Sequence, residues 1–248
     1  MKIIAFYSMK GGVGKTAAAV NIAYLAARAG FKTLLCDLDP QGSSTFYLKI
    51  KTPKKHSTKT IIKGGKKVDK NIRGSDYPNL DLLPSDMSYR NLDIILDDIK
   101  KSQKQLKKTL TPLKKEYDYI ILDCPPNITL ASENVFHAAD LILVPLIPTT
   151  LSLITYEKLL AFFKEMHLKI NRIYSFFSMV EKRKKLHNDV IRDLFDSKKR
   201  ILKTLIPYSS VVENMGIERA PVAEYNPRSP AAKAFFGLWA EIEKTLAK

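Results

Sequence analysis

Residues 9–16 read Met-Lys-Gly-Gly-Val-Gly-Lys-Thr, and this stretch decides the fold. It follows a short, mostly apolar run at residues 2–8 (KIIAFYS) and leads into an alanine-rich stretch at 15–29 that Gly30 stops. The first predicts a buried parallel strand and the second a helix. The pattern G-x-x-x-x-G-K-[ST] of a phosphate loop is not met, because Met9 stands where the first glycine belongs. The physics of such a loop survives the departure. Gly11, Gly12 and Gly14 let the backbone turn tightly and aim N–H groups at phosphate oxygens. The helix start adds the positive end of its dipole. Lys15 is placed to reach β- and γ-phosphates, and the Thr16 hydroxyl to ligate Mg²⁺.

Outward from this loop the chain alternates. Strands are expected at 31–37, 80–83, 119–122, 141–145, 174–180 and 201–206, and helices at 92–115, 131–138, 152–166 and 231–246. Alternation of this kind predicts an α/β fold, a single domain with a mostly parallel, twisted sheet covered by helices on both faces. The 248 residues fit one such domain, and a hydrophobic content of 45% is enough for its core. No apolar run is long enough for a membrane-spanning helix, and the amino terminus does not read as a signal peptide. Cys36 and Cys124 lie in apolar segments and suggest no disulfide, and His56, His137, His167 and His187 form no ligand pattern. The reducing cytoplasm is therefore the expected compartment. The net charge of +16 predicts attraction to polyanions. One segment breaks the alternation: residues 49–73 hold ten lysines and arginines against the single acid Asp69, with Gly64 and Gly65 between them. An exposed, mobile excursion is expected there.

In place of the first glycine the loop has a neighbour, Lys10, directly before Gly11. The run K-G-G-V-G-K-T resembles the deviant Walker A loop of the ParA/MinD family of P-loop ATPases. Asp37-Leu38-Asp39-Pro40-Gln41 after the second strand and Asp123-Cys124-Pro125-Pro126 after the apolar run 119–122 fall where that resemblance requires them. So do 78–85, 144–150, 206–210 (IPYSS) and 218–232, which leaves only 49–73 outside it. The resemblance implies ATP and Mg²⁺ as cofactors and a homodimer closed by ATP. It implies that Lys10 reaches the partner's phosphates in trans, as an arginine finger does, and that Lys15 and Asp39 serve the chemistry, Asp39 by orienting the attacking water. Nucleotide contacts are then expected from Gly11, Gly12, Val13, Gly14, Lys15, Thr16 and Ala17, and adenine contacts from Pro207, Tyr208 and Asn226. Thr16, Asp37 and Asp123 would form the metal site. Ala17 departs mildly, since many relatives have a second threonine there.

The first strand begins at Lys2, which by resemblance marks a short form without an N-terminal DNA-binding domain. Short forms bind double-stranded DNA without sequence preference when dimerised by ATP, using lysines and arginines on phosphates. The candidate patch is Lys182, Arg183, Lys184 and Lys185, extended by Lys198, Lys199, Arg200 and Lys203, with Arg219 as a further candidate. A ParB-like or other adaptor would stimulate hydrolysis, and the protein would associate with the nucleoid. The rival is a MinD-like switch that lies on a membrane through a basic amphipathic C-terminal helix. Here residues 231–246 place Phe235, Leu238, Trp239, Ile242 and Leu246 at helical spacing with mixed charges opposite, which predicts packing on the chain's own domain.

Overall fold

The computed structural model describes residues 1–99, 102–197 and 200–247. Eight strands form one sheet: β1 (Lys2–Phe6), β2 (Thr33–Asp37), β3 (Arg73–Gly74), β4 (Leu80–Leu83), β5 (Tyr119–Asp123), β6 (Leu141–Leu146), β7 (Ile173–Val180) and β8 (Ile201–Pro207). Their order is β3-β4-β2-β5-β1-β6-β7-β8. Every pairing is parallel except the short β3–β4 edge. The register sets Phe6 beside Asp123 and Asp37 beside Asp123, so the ends of β1, β2 and β5 lie level. Buried residues fill both sides of the central strands, as a sheet covered on two faces requires. Each fully buried Leu, Ile or Phe contributes about 1.5–3 kcal/mol relative to exposure.

On one face, α1 (Lys15–Arg28) packs its alanines against Ile4, Phe6, Leu35 and Ile121, and α13 (Pro230–Leu246) lies beside it. Phe235, Leu238, Trp239 and Ile242 are all buried there, so the apolar stripe of the C-terminal helix is spent inside the domain, as its spacing predicts. Glu241 fastens α13 to the edge strand by accepting the N–H groups of Lys203 and Thr204, both at 2.7 Å. Short helices α10 (Ser210–Glu213), α11 (Met215–Glu218) and α12 (Val222–Tyr225) carry the chain from β8 to α13.

α2 (Ser43–Tyr47) packs beside α1 and α11. The other face is covered by α7 (Leu130–Ala138), α8 (Thr150–Glu165), α9 (Lys185–Asp196) and shorter pieces: α3 (Thr58–Lys63), α4 (Lys66–Asp69), α5 (Leu92–Asp97) and α6 (Gln105–Leu110). The helix expected over 92–115 is thus broken. Asp97 and Asp98 stand at the end of α5, where acids oppose the helix dipole, and Pro112 cannot continue α6 and falls in a 3₁₀ turn over Thr111–Lys115. The expected exposed excursion at 49–73 is also corrected. Lys49, Lys51, Lys54, Lys55, Lys59, Lys63, Lys67 and Lys70 are exposed, but Ile61 and Val68 are buried in the core beside Leu106 and Leu110. Gln105 and Thr109 donate to the carbonyls of Ile62 and Ile61, both at 2.5 Å, which ties the segment to α6. Among the described residues no helix is long and apolar enough to cross a membrane.

Candidate nucleotide site

The sheet reverses direction around β1: the chain runs from β1 through α1 to β2 on one side, and later from β5 across to β6 on the other. Crevices outside the carboxyl ends of the strands at such a switch point are where α/β proteins bind ligands. The glycine loop lies there. Gly14 takes φ +85° at the cap of α1, and a Cβ placed on it would stand 2.8 Å from the Ser178 Oγ on β7. Only glycine meets both conditions. The helix α1 has no side-chain cap and no acid in its first turn. Helices α7 and α13, by contrast, are capped by a Thr129–Ser132 box and by the Ser229 hydroxyl. The first N–H groups of α1 are left for a ligand, and an anion suits them.

Lys15 is buried, and its Nζ folds back to the Lys10 carbonyl at 3.3 Å. Burial pulls its ammonium below the usual lysine range, against the opposing pull of Asp123, Cys124 and Asp39. Lys10 is half-buried, its N–H donating to Ser8 Oγ at 3.2 Å. Lys10 does not line the pocket in front of its own loop.

Beneath the lysine lie two fully buried carboxylates. Asp37 Oδ2 accepts from the Thr45 N–H (2.8 Å) and Thr45 Oγ1 (2.7 Å), and Asp123 Oδ2 accepts from Ser44 Oγ at 2.8 Å. The other oxygen of each, Oδ1, has no hydrogen-bond partner. Burial, then repulsion from Asp123, pushes the Asp37 carboxyl up. Burial also raises Asp123, while Ser44, Thr16 and Lys15 favour its charged form. Two buried oxygens without partners, next to the Thr16 hydroxyl, ask for a cation. Among the described residues there is no group of three or more His, Cys, Asp or Glu side chains that could hold a metal. A sparse set of one or two carboxylates and a hydroxyl fits Mg²⁺, which keeps several waters and shares phosphate oxygens, better than a metal that needs a full protein cage. Asp39 sits half-buried above them, its Oδ1 accepting from the Gln41 N–H at 2.9 Å.

In front of the loop opens a pocket of about 280 Å³ lined by Gly12, Gly14, Lys15, Thr16 and Ala17. Pro207 and Tyr208 line it as well. Asn226 does not line it: it is exposed at the end of α12, where its N–H bonds Val222. Sequence reasoning missed Tyr47, Ser178, Met179 and Glu213 in the pocket and the Ser44–Thr45 pair behind it. Only the Ser-Ser-Thr run just past Asp-Leu-Asp-Pro-Gln could have hinted at the pair.

Lys182, Arg183 and Lys184 are exposed on the loop between β7 and α9, where Lys184 bonds Glu181 at 2.5 Å, and Lys185 is exposed at the first position of α9. Arg200 and Lys203 are exposed on and beside β8, while Lys198 and Lys199 lie outside the described residues. Arg219 is placed elsewhere: its Nε donates to the Phe46 carbonyl at 3.0 Å and its guanidinium stacks 4.5 Å from the Phe46 ring.

The AAA domain family matches residues 1–176. The chain is 32% identical to the virulence plasmid ParA family protein pGP5-D of Chlamydia psittaci, over 99% of this chain and 96% of that protein. It is 30% identical to the sporulation initiation inhibitor protein Soj of Bacillus subtilis, over 97% and 98%. A plasmid partition protein of Borrelia burgdorferi, solved bound to AMPPNP, superposes with a TM-score of 0.83 at 25% identity, covering 98% of each chain. Cobyrinic acid a,c-diamide synthase from Mycobacterium smegmatis reaches 0.82 at 23% identity, which speaks for the fold alone. With its deviant phosphate loop, its paired strand-end aspartates and relatives matched along nearly their whole length, the chain belongs to the ParA family of P-loop ATPases.

Proposed function

We propose that the protein is an ATP-operated dimerisation switch that binds DNA without sequence preference and partitions or positions a plasmid, a chromosome region or another large cargo. The observation that carries this reading is Lys10, which stands at the phosphate loop yet outside the pocket of its own subunit. A second subunit, closing face to face, gives that ammonium phosphates to neutralise.

ATP enters as substrate. The uncapped start of α1 and the loop N–H groups of Gly12 to Thr16 take the phosphates, Lys15 leaves the Lys10 carbonyl for the β- and γ-oxygens, and Pro207 and Tyr208 flank the base. Thr16, Asp37 and Asp123 are the residues that would hold Mg²⁺, whose chemistry when bound is to neutralise charge on the phosphates. Asp39 orients the water. Its oxygen bonds to the γ-phosphorus, the bond to the β-phosphate oxygen breaks, and ADP, phosphate and a proton leave. With the γ-phosphate gone the two subunits lose their shared contacts and part. Turnover is slow until a ParB-like or other adaptor completes the site.

The closed dimer joins the Lys182–Lys185 loops of both subunits into one basic surface, with Arg200 and Lys203 adjoining, and the protein works on the nucleoid in the cytoplasm. Arg219, held on Phe46, is left out of this surface. Binding to arbitrary-sequence duplex DNA with ATP, with ADP and without nucleotide, across a salt series, tests the reading. ATP-dependent binding that falls steeply with salt is expected. Binding to anionic liposomes in its place would favour a membrane switch.

A further inference from the structure

A second pocket, of about 390 Å³, opens on the opposite edge of the sheet, at the amino ends of β6 and β7. Six residues of strand at about 3.3 Å each put it about 20 Å from the phosphate-loop edge. Its rim carries Lys104, Lys107, Lys169 and Arg172, with His137 and His167 between them. Its floor is apolar, formed by Phe136, Ile142, Phe163 and Leu168. The cations come from separate parts of the chain: the start of α6, the turn after α8 and the residue before β7. None of the four is within ion-pair distance of a carboxylate among the described residues. Burial, and after it Lys104, hold His137 below the usual imidazole range, with Lys107 and Arg172 adding to the effect. Three of the four cations therefore act on one imidazole, and Lys169 lines the same pocket.

The carboxyl ends of α7 and α8 meet here too, and helix ends attract cations without any ligand. Magnitudes decide whether that suffices. Two helix ends supply about one negative charge together, and Glu133, which opposes the cations at His137, supplies one more. Arg172 satisfies one backbone group, donating to the Ala139 carbonyl at 3.3 Å. Four cations against about two negative charges leave an excess of about two positive charges in a concavity.

We propose that this pocket binds a small soluble anion carrying at least two phosphate groups, of about mononucleotide size, independently of the phosphate loop. Its volume lies in the range of ligand sites. The convergence on one hollow, in place of a stripe across a flat face, favours a compact polyphosphate over a duplex backbone.

The test titrates inorganic pyrophosphate into protein whose phosphate loop is already filled with a slowly hydrolysed ATP analogue. The wild type is expected to show one pyrophosphate site that weakens with salt. The variant Lys104→Glu/Lys107→Glu changes only exposed side chains. It is expected to lose at least about tenfold in that affinity with the analogue affinity and melting temperature unchanged. Lys169→Gln is expected to lose less, in the same direction. Abolition of pyrophosphate binding by the analogue in the wild type would overturn the proposal, since the loop alone would then be the site. Equal affinity in wild type and the charge-reversed variant would overturn it as well. So would a loss of duplex DNA affinity in a variant that binds pyrophosphate normally, which would assign the face to nucleic acid.

Discussion

At Gly14 two separate constraints fall on one residue, and substitution can pull them apart. Its φ of +85° costs an L residue about 1–2 kcal/mol, and the added Cβ would also press on Ser178 Oγ at 2.8 Å. Gly14→Ala is therefore expected to lose stability in denaturant titration and nucleotide affinity together. Adding Ser178→Ala should return only the part due to contact, because the backbone strain stays; a single variant as stable as wild type would contradict both constraints. Lys15 separates stability from binding. Its ammonium is buried against a falling pKa until phosphates arrive, so Lys15→Ala is expected to melt no lower than wild type without nucleotide. Its ATP affinity, measured by calorimetry, should drop about a hundredfold, as two charge-assisted hydrogen bonds at about 1.5 kcal/mol each require. Normal affinity in that variant would refute the loop. Both residues were legible in the sequence because their signal is local, a glycine, a lysine and a threonine within one turn. Ser178 was not, since its claim on Gly14 comes from a strand more than 160 residues away that only the sheet brings near.

Elements carry what single residues cannot. The α2 helix holds both buried carboxylates, through Ser44 and Thr45, and Arg219 holds α2 in turn. Arg219→Ala removes a stacked cation and a hydrogen bond, each about 1 kcal/mol. It is expected to weaken Mg²⁺-ATP binding several-fold while leaving DNA affinity at saturating ATP unchanged; the reverse pattern would return Arg219 to the DNA surface. The basic loop before α9 has its own fastening. His187 Nδ1 accepts the Glu181 N–H at 3.1 Å, which only a neutral ring can do. Burial, then Lys184, lowers its pKa from the usual 6.5. The folded state thus binds fewer protons than the unfolded one, so this contribution is present above pH 6.5 and is lost as pH falls through the folded value. Amides of residues 181–187 are expected to exchange faster at pH 5 than at pH 7.5 after correction for intrinsic rates. Equal protection at both would deny the bond. At this scale sequence reading erred where charge outvoted pattern. In 49–73 ten cations predicted exposure, yet long lysine stems leave room for Ile61 and Val68 to turn inward. In 92–115 the apolar period was real, but Asp97, Asp98 and Pro112 cut it.

For the whole molecule the question is whether nucleotide, dimer and DNA form one chain of cause. The sheet puts the phosphate loop and the β7–α9 loop on the same, carboxyl edge, since β1 and β7 both run toward it and Gly14 and Ser178 line one pocket. Closure of two subunits across that edge would therefore bring both basic loops together. Two variants separate the links. Lys10→Ala leaves the pocket lining intact, so it is expected to bind ATP yet sediment as a monomer and bind DNA weakly. Arg183→Glu changes an exposed loop residue, so it is expected to dimerise with ATP and still bind DNA weakly. The salt dependence then gives the number that monomer and dimer cannot share. The slope of log affinity against log salt is about −0.9 per phosphate neutralised, so a dimer presenting two loops should show about twice the slope of the Lys10→Ala monomer. Equal slopes would mean that DNA meets one subunit at a time, and the link between dimerisation and DNA would break there.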